Sequence, residues 1–246
     1  MDLKILGSSS KGNCYLLDNG SEALVIECGI ALKKVKKAVD FDITRITGAL
    51  ISHEHGDHAK YVQSFARAWI PIYTSPGTAK EIRKKYNTKS NVLTPGEQTD
   101  IGNFKVIAFK TEHDAAEPVG FLVNHEEIGT MLFATDTYYL KYRFSGLNNI
   151  LLECNYDLPI LDQNIQEGKL PSFLRDRVIK SHMSYTTCKE TLQANDLTRV
   201  NNIVLIHLSG NNSDPDKFKK GIEKATSKKV TIAKENIRIN FNKTPF

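Results

Sequence analysis

The stretch Ser52-His53-Glu54-His55-Gly56-Asp57-His58 constrains this chain more than any other. It follows Ala49-Leu50-Ile51, an apolar run that reads as a buried strand ending at Ser52-His53. In extended chain, side chains two apart point the same way, so His53 and His55 face one side of the turn that leaves the strand. Imidazole nitrogens and carboxylate oxygens are the donors that divalent zinc prefers, and manganese and iron also accept them. His53 and His55 can therefore grip one ion. Asp57 and His58, opening the next helix, can face a second. The spacing arises by chance at on the order of one in a million starting positions, and a coincidental cluster on a solvated loop is rejected on that ground.

The rest of the chain supplies a scaffold for such a cluster. Leu3 to Leu6, Cys14 to Leu17 and Ala23 to Ile26 are short apolar runs separated by Gly, Ser and Asn, and read as strands. A lysine-studded helix is expected from Ala31 to Val39. Asp57 is expected to cap a helix running through Val62, Phe65 and Ala66 to Trp69, stopped before Pro71. Phe104, Val106 and Ala108 alternate as a strand does, with Val119 to Val123, Met131 to Ala134 and Ile150 to Leu152 as further strands. Toward the end come a helix, a strand from Ile203 to Ile206, and a helix opened by Asp214-Pro215, where proline suits the first helical position. Strands and helices interleave without strict alternation, which argues for sheets covered by helices on their outer faces.

A pair of ions needs more donors than one hexapeptide offers. Of the seven histidines, His113 follows the strand of Phe104 to Phe109 and His207 follows Ile203 to Ile206. Asp136 follows Met131 to Ala134. All three sit at strand ends, where several strands can present side chains to one edge. His125, between Asn124 and Glu126, reads as a turn residue without a role.

Composition bounds the alternatives. The chain of 246 residues shows no repeat, low-complexity tract or long linker, and reads as a single domain over 1–246. No cationic start precedes an apolar stretch and no run reaches the roughly 18 apolar residues of a membrane span. Cys14, Cys28, Cys154 and Cys188 are scattered, which fits reduced thiols and a cytoplasmic location better than disulfides. The net charge of +5 favours an anionic substrate only weakly.

The hexapeptide followed in order by His113, Asp136 and His207 resembles the metallo-β-lactamase superfamily. That resemblance spans essentially the whole chain and implies an α+β fold, a four-layer αββα sandwich with metals at one edge of two facing sheets. It implies His53, His55 and His113 on one metal, Asp57, His58 and His207 on the other, and Asp136 bridging them. Five further stretches are similar to signatures of the YycJ/WalJ group: Gly7 to Asn13, His113 to Gly120, Leu152 to Asp157, Ser181 to Ser184 and His207 to Asn212. Members of that group are regarded as 5′→3′ double-stranded DNA exonucleases. The family usually carries aspartate where this chain has Glu27, which is expected to brace the metal loop by hydrogen bonds. Cys28 beside it reads as a small buried residue.

The reading is thus a phosphodiesterase or nuclease with two divalent ions, zinc or manganese, acting on nucleic acid or a nucleotide phosphodiester. A metal-activated hydroxide attacks phosphorus, oriented by Asp57. His182, just before a helix capped by Ser184, is expected to protonate the leaving oxygen. Its place between Asp136 and His207 resembles the non-ligand histidine of RNase Z. Asn155, Asn211 and Asn212 are candidates for bracing the ligands or touching substrate, and the Gly7 to Asn13 loop for offering N–H groups to phosphate. Lysines at 33, 34, 36, 37, 217, 219 and 220 read as solvated helix faces. Two alternatives stand: hydrolysis of a small phosphodiester such as a cyclic nucleotide, and a metal-free scaffold of the same fold. Thioesterase, β-lactamase and flavodiiron chemistry are disfavoured, the last because position 55 is histidine rather than carboxylate.

Overall fold

The structure is a computed structural model that describes residues 1–244. Strands β1 (Asp2–Gly7), β2 (Cys14–Asp18), β3 (Ala23–Ile26), β4 (Ile46–Leu50), β5 (Ile72–Thr74) and β6 (Asn91–Val92) build one sheet. Strands β7 (Gln98–Ile101), β8 (Phe104–Lys110), β9 (Val119–His125), β10 (Gly129–Ala134), β11 (Leu147–Glu153), β12 (Asn202–Ile206) and β13 (Val230–Ile232) build the second. The last strand, β14 (Ile237–Asn240), returns to the first sheet and pairs with β1. The orders are β14-β1-β2-β3-β4-β5-β6 and β13-β12-β11-β10-β9-β8-β7. In each sheet one half is antiparallel and the other, β3 to β6 or β10 to β13, is parallel.

Alternation along the strands sorts side chains into three cores. Leu24 and Ile26 of β3 face the space between the sheets, where they meet Tyr15, Leu50, Phe104, Phe121 and Phe133. Ala23 and Val25, one residue out of phase, pack outward among residues of α1 (Leu32–Ala38), α3 (Val62–Arg67) and α4 (Pro76–Tyr86). On the other sheet Ile150 and Leu152 pack outward with Leu192 of α7 (Tyr185–Gln193) and Phe218 and Ile222 of α8 (Pro215–Thr226). Central strands covered on both faces read as unbroken apolar runs, which is why they stand out in the sequence. The result is the four-layer αββα sandwich.

Two expectations are corrected. The helix expected to run from an Asp57 cap to Trp69 is two short helices, α2 (Gly56–Ala59) and α3, and the residue ahead of α2 is His55. The cause is backbone from another segment: Cys28 N–H donates to the carbonyl of His58, and Tyr61 N–H donates to that of Cys28. The loop after β3 is thereby wedged into the helix, and the Asp57 side chain is free to turn inward. His125 is no turn residue. It closes β9, is buried, packs its ring 4.8 Å from that of Phe104, and places Nε2 3.1 Å from Glu22 Oε1. All four cysteines are buried free thiols, Cys28 among them.

Candidate metal centre

The site is assembled at strand ends from both sheets. His53, His55, Asp57 and His58 follow β4, while His113 follows β8, Asp136 follows β10, Glu153 ends β11 and His207 follows β12. Two of these exits, Asp136 (φ 45°) and His207 (φ 54°), turn through the left-handed region, as does Glu27 (φ 70°) after the neighbouring β3. For side chains with a Cβ that conformation costs about 1–2 kcal/mol each, and such strain persists where surrounding structure over-determines it. Here it aims buried polar groups at one point.

Close backbone approach fixes the β4 turn. A Cβ on Gly29 would lie 1.7 Å from the Asp57 carbonyl oxygen and 2.6 Å from Asn13 N. Only glycine lets the three segments meet, and the meeting is tied by Asn13 N–H donating to Asp57 O at 2.8 Å and Gly29 N–H donating to Asn13 O at 2.9 Å. Asn13 then reaches over with Nδ2 3.2 Å from His58 Nε2.

Two donor sets result, each with its ligand atoms within 4.8 Å of one another: His53, His55, His113 and Asp136, and Asp57, His58, His207 and Asp136. Asp136 is common to both. Within the first, His113 Nε2 is 3.1 Å from His55 Nδ1, and Asp136 Oδ2 is 3.5 Å from His53 Nε2. Within the second, Asp57 Oδ2 lies 3.2 Å from both His58 Nε2 and His207 Nε2. A third set, Asp136, Glu153, His182 and His207, adjoins them.

The outer nitrogens of these rings are held from behind. His113 Nδ1 donates to the carbonyl of Ser181 at 2.9 Å, which leaves Nε2 as the lone-pair side facing the centre. His53 Nδ1 bonds Ser52 Oγ at 2.9 Å, and its Nε2 is buried without a hydrogen-bond partner among the described residues. A buried orphan nitrogen aimed at a shared carboxylate is what a bound cation would satisfy. Glu27 is fully buried, accepts from Ser52 N–H at 3.3 Å, and stands 3.4 Å from His58 Nδ1. Glu27 thus touches both the strand end at Ser52 and the ring of His58.

Charge follows the crowding. Burial opposes ionisation of Asp57, yet hydrogen bonds from His207 and His58 override it and hold the carboxyl below its ordinary range. Asp136 is held low in the same way, by His207 and His58 against burial. Burial, with His58 nearby, keeps His53 neutral by pushing its pKa down. His58 and His207 go the other way: against burial, Asp136 and the neighbouring carboxylates raise both well above the ordinary imidazole range, so a cation binding here would displace their protons. The residues present fit divalent cations.

His182 stands at the rim. Its Nδ1 is 2.8 Å from Glu153 Oε1 and 3.9 Å from Asp136 Oδ1. Burial alone would lower its pKa, and the Glu153 carboxylate reverses that and raises it. Ser184 does cap the following helix, its side chain accepting from Thr187 N–H. Glu153 is the residue that sequence pattern missed. It is fully buried and accepts from His182, His207, Thr137 N–H and Met183 N–H. Its one sequence trace is its place just after the apolar run Ile150 to Leu152, which a surface carboxylate closing a strand shares. Asp114, 3.3 Å from His113 Nδ1, was also unassigned.

A cavity of about 270 Å³ opens over the cluster, lined among others by His55, Asp57, Asp136, His182 and His207, with Arg177 at its wall. Asn155 lines it and donates to the His207 carbonyl at 2.7 Å. Asn212 lines it too, while accepting from Asn164. Asn211 is exposed and outside these walls. From the Gly7 to Asn13 loop, Ser10 reaches the cavity and Ser8 Oγ accepts from His207 N–H at 3.0 Å.

Paired donor sets at the edge of an αββα sandwich define a metal-dependent hydrolase of the metallo-β-lactamase fold. The chain belongs to the beta-lactamase superfamily domain family, whose sequence profile matches residues 24–208. It is 26% identical over 191 residues to the exodeoxyribonuclease YycJ of Bacillus anthracis, covering 73% of this chain and 70% of that protein. It is also 26% identical over 226 residues to the exodeoxyribonuclease WalJ of Streptococcus pneumoniae serotype 2, covering 85% and 82%. Among solved structures it resembles the metallo-β-lactamase fold protein YhfI of Bacillus subtilis, with a TM-score of 0.74 at 19% identity over 97% of this chain and 98% of the other.

Proposed function

We propose that this chain is a binuclear metal-dependent phosphodiesterase that degrades DNA from an end, with 5′→3′ action on duplex as in the group its motifs resemble. The observation that carries the reading is the sharing of Asp136 between two donor sets beside a His182–Glu153 pair. His53, His55 and His113 would hold one ion, Asp57, His58 and His207 the other, and Asp136 both. Zinc or manganese suits this donor chemistry. Bound there, the ions supply Lewis acidity that lowers the pKa of water from 15.7 toward about 7 and neutralises charge on the phosphoryl group. Asp57 orients the attacking water. His182, protonated and oriented through Nδ1 by Glu153, gives its proton to the leaving oxygen. Arg177 at the cavity wall attracts the phosphate.

The cavity is smaller than the roughly 300–1,000 Å³ that engulfs a drug-sized ligand. Its open mouth lets substrate continue outward from the scissile phosphate, as a polymer needs. Retention of every expected ligand position argues against the scaffold alternative. Among the described residues no helix is long and apolar enough to cross a membrane. On its scattered free cysteines we place the chain in the cytoplasm, with its described residues forming one domain.

The test is incubation of zinc- or manganese-reconstituted protein with end-labelled duplex DNA and with cyclic mononucleotides, beside Asp57→Ala. Progressive shortening of the duplex by wild type alone is the expected result. Faster turnover of the cyclic nucleotide, or equal activity in Asp57→Ala, would overturn the proposal.

A further inference from the structure

Parallel neighbours β10 and β11 are usually joined by a helix that crosses the sheet face. Here the crossover carries Asp136 and continues as Thr137-Tyr138-Tyr139-Leu140-Lys141-Tyr142-Arg143-Phe144, without a helix. Leu140 and Phe144 anchor it, packing into the outer core where Phe144 meets Phe109 at 4.9 Å. Its path is pinned by Tyr138 N–H donating to Glu112 O, Thr137 Oγ donating to Tyr139 O, and Phe144 N–H donating to Asn195 Oδ1. A loop held this firmly still leaves Tyr138 43%, Tyr139 51% and Tyr142 40% exposed. No ring packs on Tyr138 or Tyr139 among the described residues.

These tyrosines line a groove of about 490 Å³ together with Thr187, Glu190 and Thr191 of α7 and the residues just after it, Ala194 and Asn195. Both walls are continuations of the metal centre. The loop leaves from Asp136, whose Cα lies no more than about 7 Å from that of Tyr138, and α7 begins just after His182. Among the described residues Arg143 is exposed on the loop without an ion-pair partner, and Lys141 pairs with the partly exposed Glu112 alone. Among the described residues lining the groove the one carboxylate is Glu190, on the α7 wall, and the cations Lys141 and Arg143 are on the loop side.

Part-exposed tyrosines interleaved with cations, next to the proposed phosphodiesterase site, match the chemistry of unpaired nucleic acid: bases stack on rings and the backbone follows the charges. From this we infer that the Tyr138–Arg143 crossover is a stacking platform for the unpaired strand of a nucleic-acid substrate, holding the bases next to the scissile bond. The inference deepens the nuclease reading and rests on it.

The test measures, in metal-loaded protein, fluorescence-anisotropy binding of a labelled single-stranded 12-mer, its cleavage, and cleavage of bis(p-nitrophenyl) phosphate, which is too small to span the groove. Tyr139→Ala is expected to weaken oligonucleotide binding and raise KM by about tenfold, leaving turnover of the small diester unchanged. Tyr139→Phe, which keeps the ring, should behave as wild type, and Tyr139→Leu should resemble Tyr139→Ala. Unaltered binding in Tyr139→Ala overturns the platform while leaving the nuclease reading intact. Full function in Tyr139→Leu overturns it as well, indicating a plain apolar contact such as a protein partner would use. Wild type that binds the 12-mer through Tyr139 yet cleaves neither substrate, nor end-labelled duplex DNA run alongside, supports the platform and sinks the nuclease reading instead.

Discussion

Glu153 holds two imidazoles that face different tasks. Its Oε1 is 2.8 Å from His182 Nδ1 and 3.0 Å from His207 Nδ1, so one carboxylate orients both the proposed proton donor and a proposed ligand. His182→Ala is expected to lower turnover by about 10²–10⁴-fold while metal analysis still finds two ions per chain. Loss of metal in that variant would make His182 a ligand. Glu153→Gln should act on both neighbours, lowering activity or metal affinity by about 10–100-fold, as a metal titration alongside initial rates would show. The hexapeptide and the strand-end positions of His113, Asp136 and His207 were legible in sequence because each follows an apolar run. Glu153 was not, since its partners lie 29 and 54 residues away and nothing local distinguishes it from a surface carboxylate closing a strand. His125 was misread for a similar reason: its partner Glu22 is remote in the chain.

At the scale of elements, the strands that bury both faces announced themselves, whereas the break between α2 and α3 did not. It depends on backbone groups of Cys28 arriving from another segment, which no helical periodicity encodes. The same contact zone gives a sharp prediction. Gly29→Ala would press a methyl against backbone that cannot yield, so a loss of about 1–3 kcal/mol is expected, or roughly 3–10 °C in Tm, together with lower metal content. Farther away, Asp18 at the end of β2 ties Lys4 of β1 at 2.7 Å and Arg45 before β4 at 3.2 Å. Burial would raise its pKa, but Lys4, the Gly20 N–H and Arg45 lower it below the ordinary 3.8. A depressed carboxyl contributes stability that is present above the unfolded value and is lost as pH falls through the folded one. Wild type should therefore lose stability on acidification below about pH 4, and Asp18→Asn should lose less across that window. At pH 7 the same variant should already be weaker by roughly 2 kcal/mol. Urea titrations at pH 7 and in steps below pH 4 check both statements.

For the whole molecule, the candidate ligands bridge two sheets that otherwise meet through the shared apolar core and a few polar ties such as His125–Glu22 and Asn202–Asn240. Ions bound there clamp the sheets together, and because they bind only the folded chain their removal should be felt globally. At a free metal concentration 100 times Kd the stabilisation is about 2.7 kcal/mol, so chelation should lower Tm by roughly 5–11 °C. Calorimetry with and without a chelator reads this directly, and an unchanged melting curve would mean that the clamp is absent.

The distribution of these donors along the chain has a bearing on biosynthesis. His53 and His207 are separated by nearly two-thirds of the polypeptide, and under the proposed assignment no earlier stopping point carries both complete donor sets. A growing or prematurely ended chain would thus emerge from the ribosome harmless to nucleic acid. Hydrolytic power would appear only when the final central strand slots home, a built-in delay that needs no inhibitor.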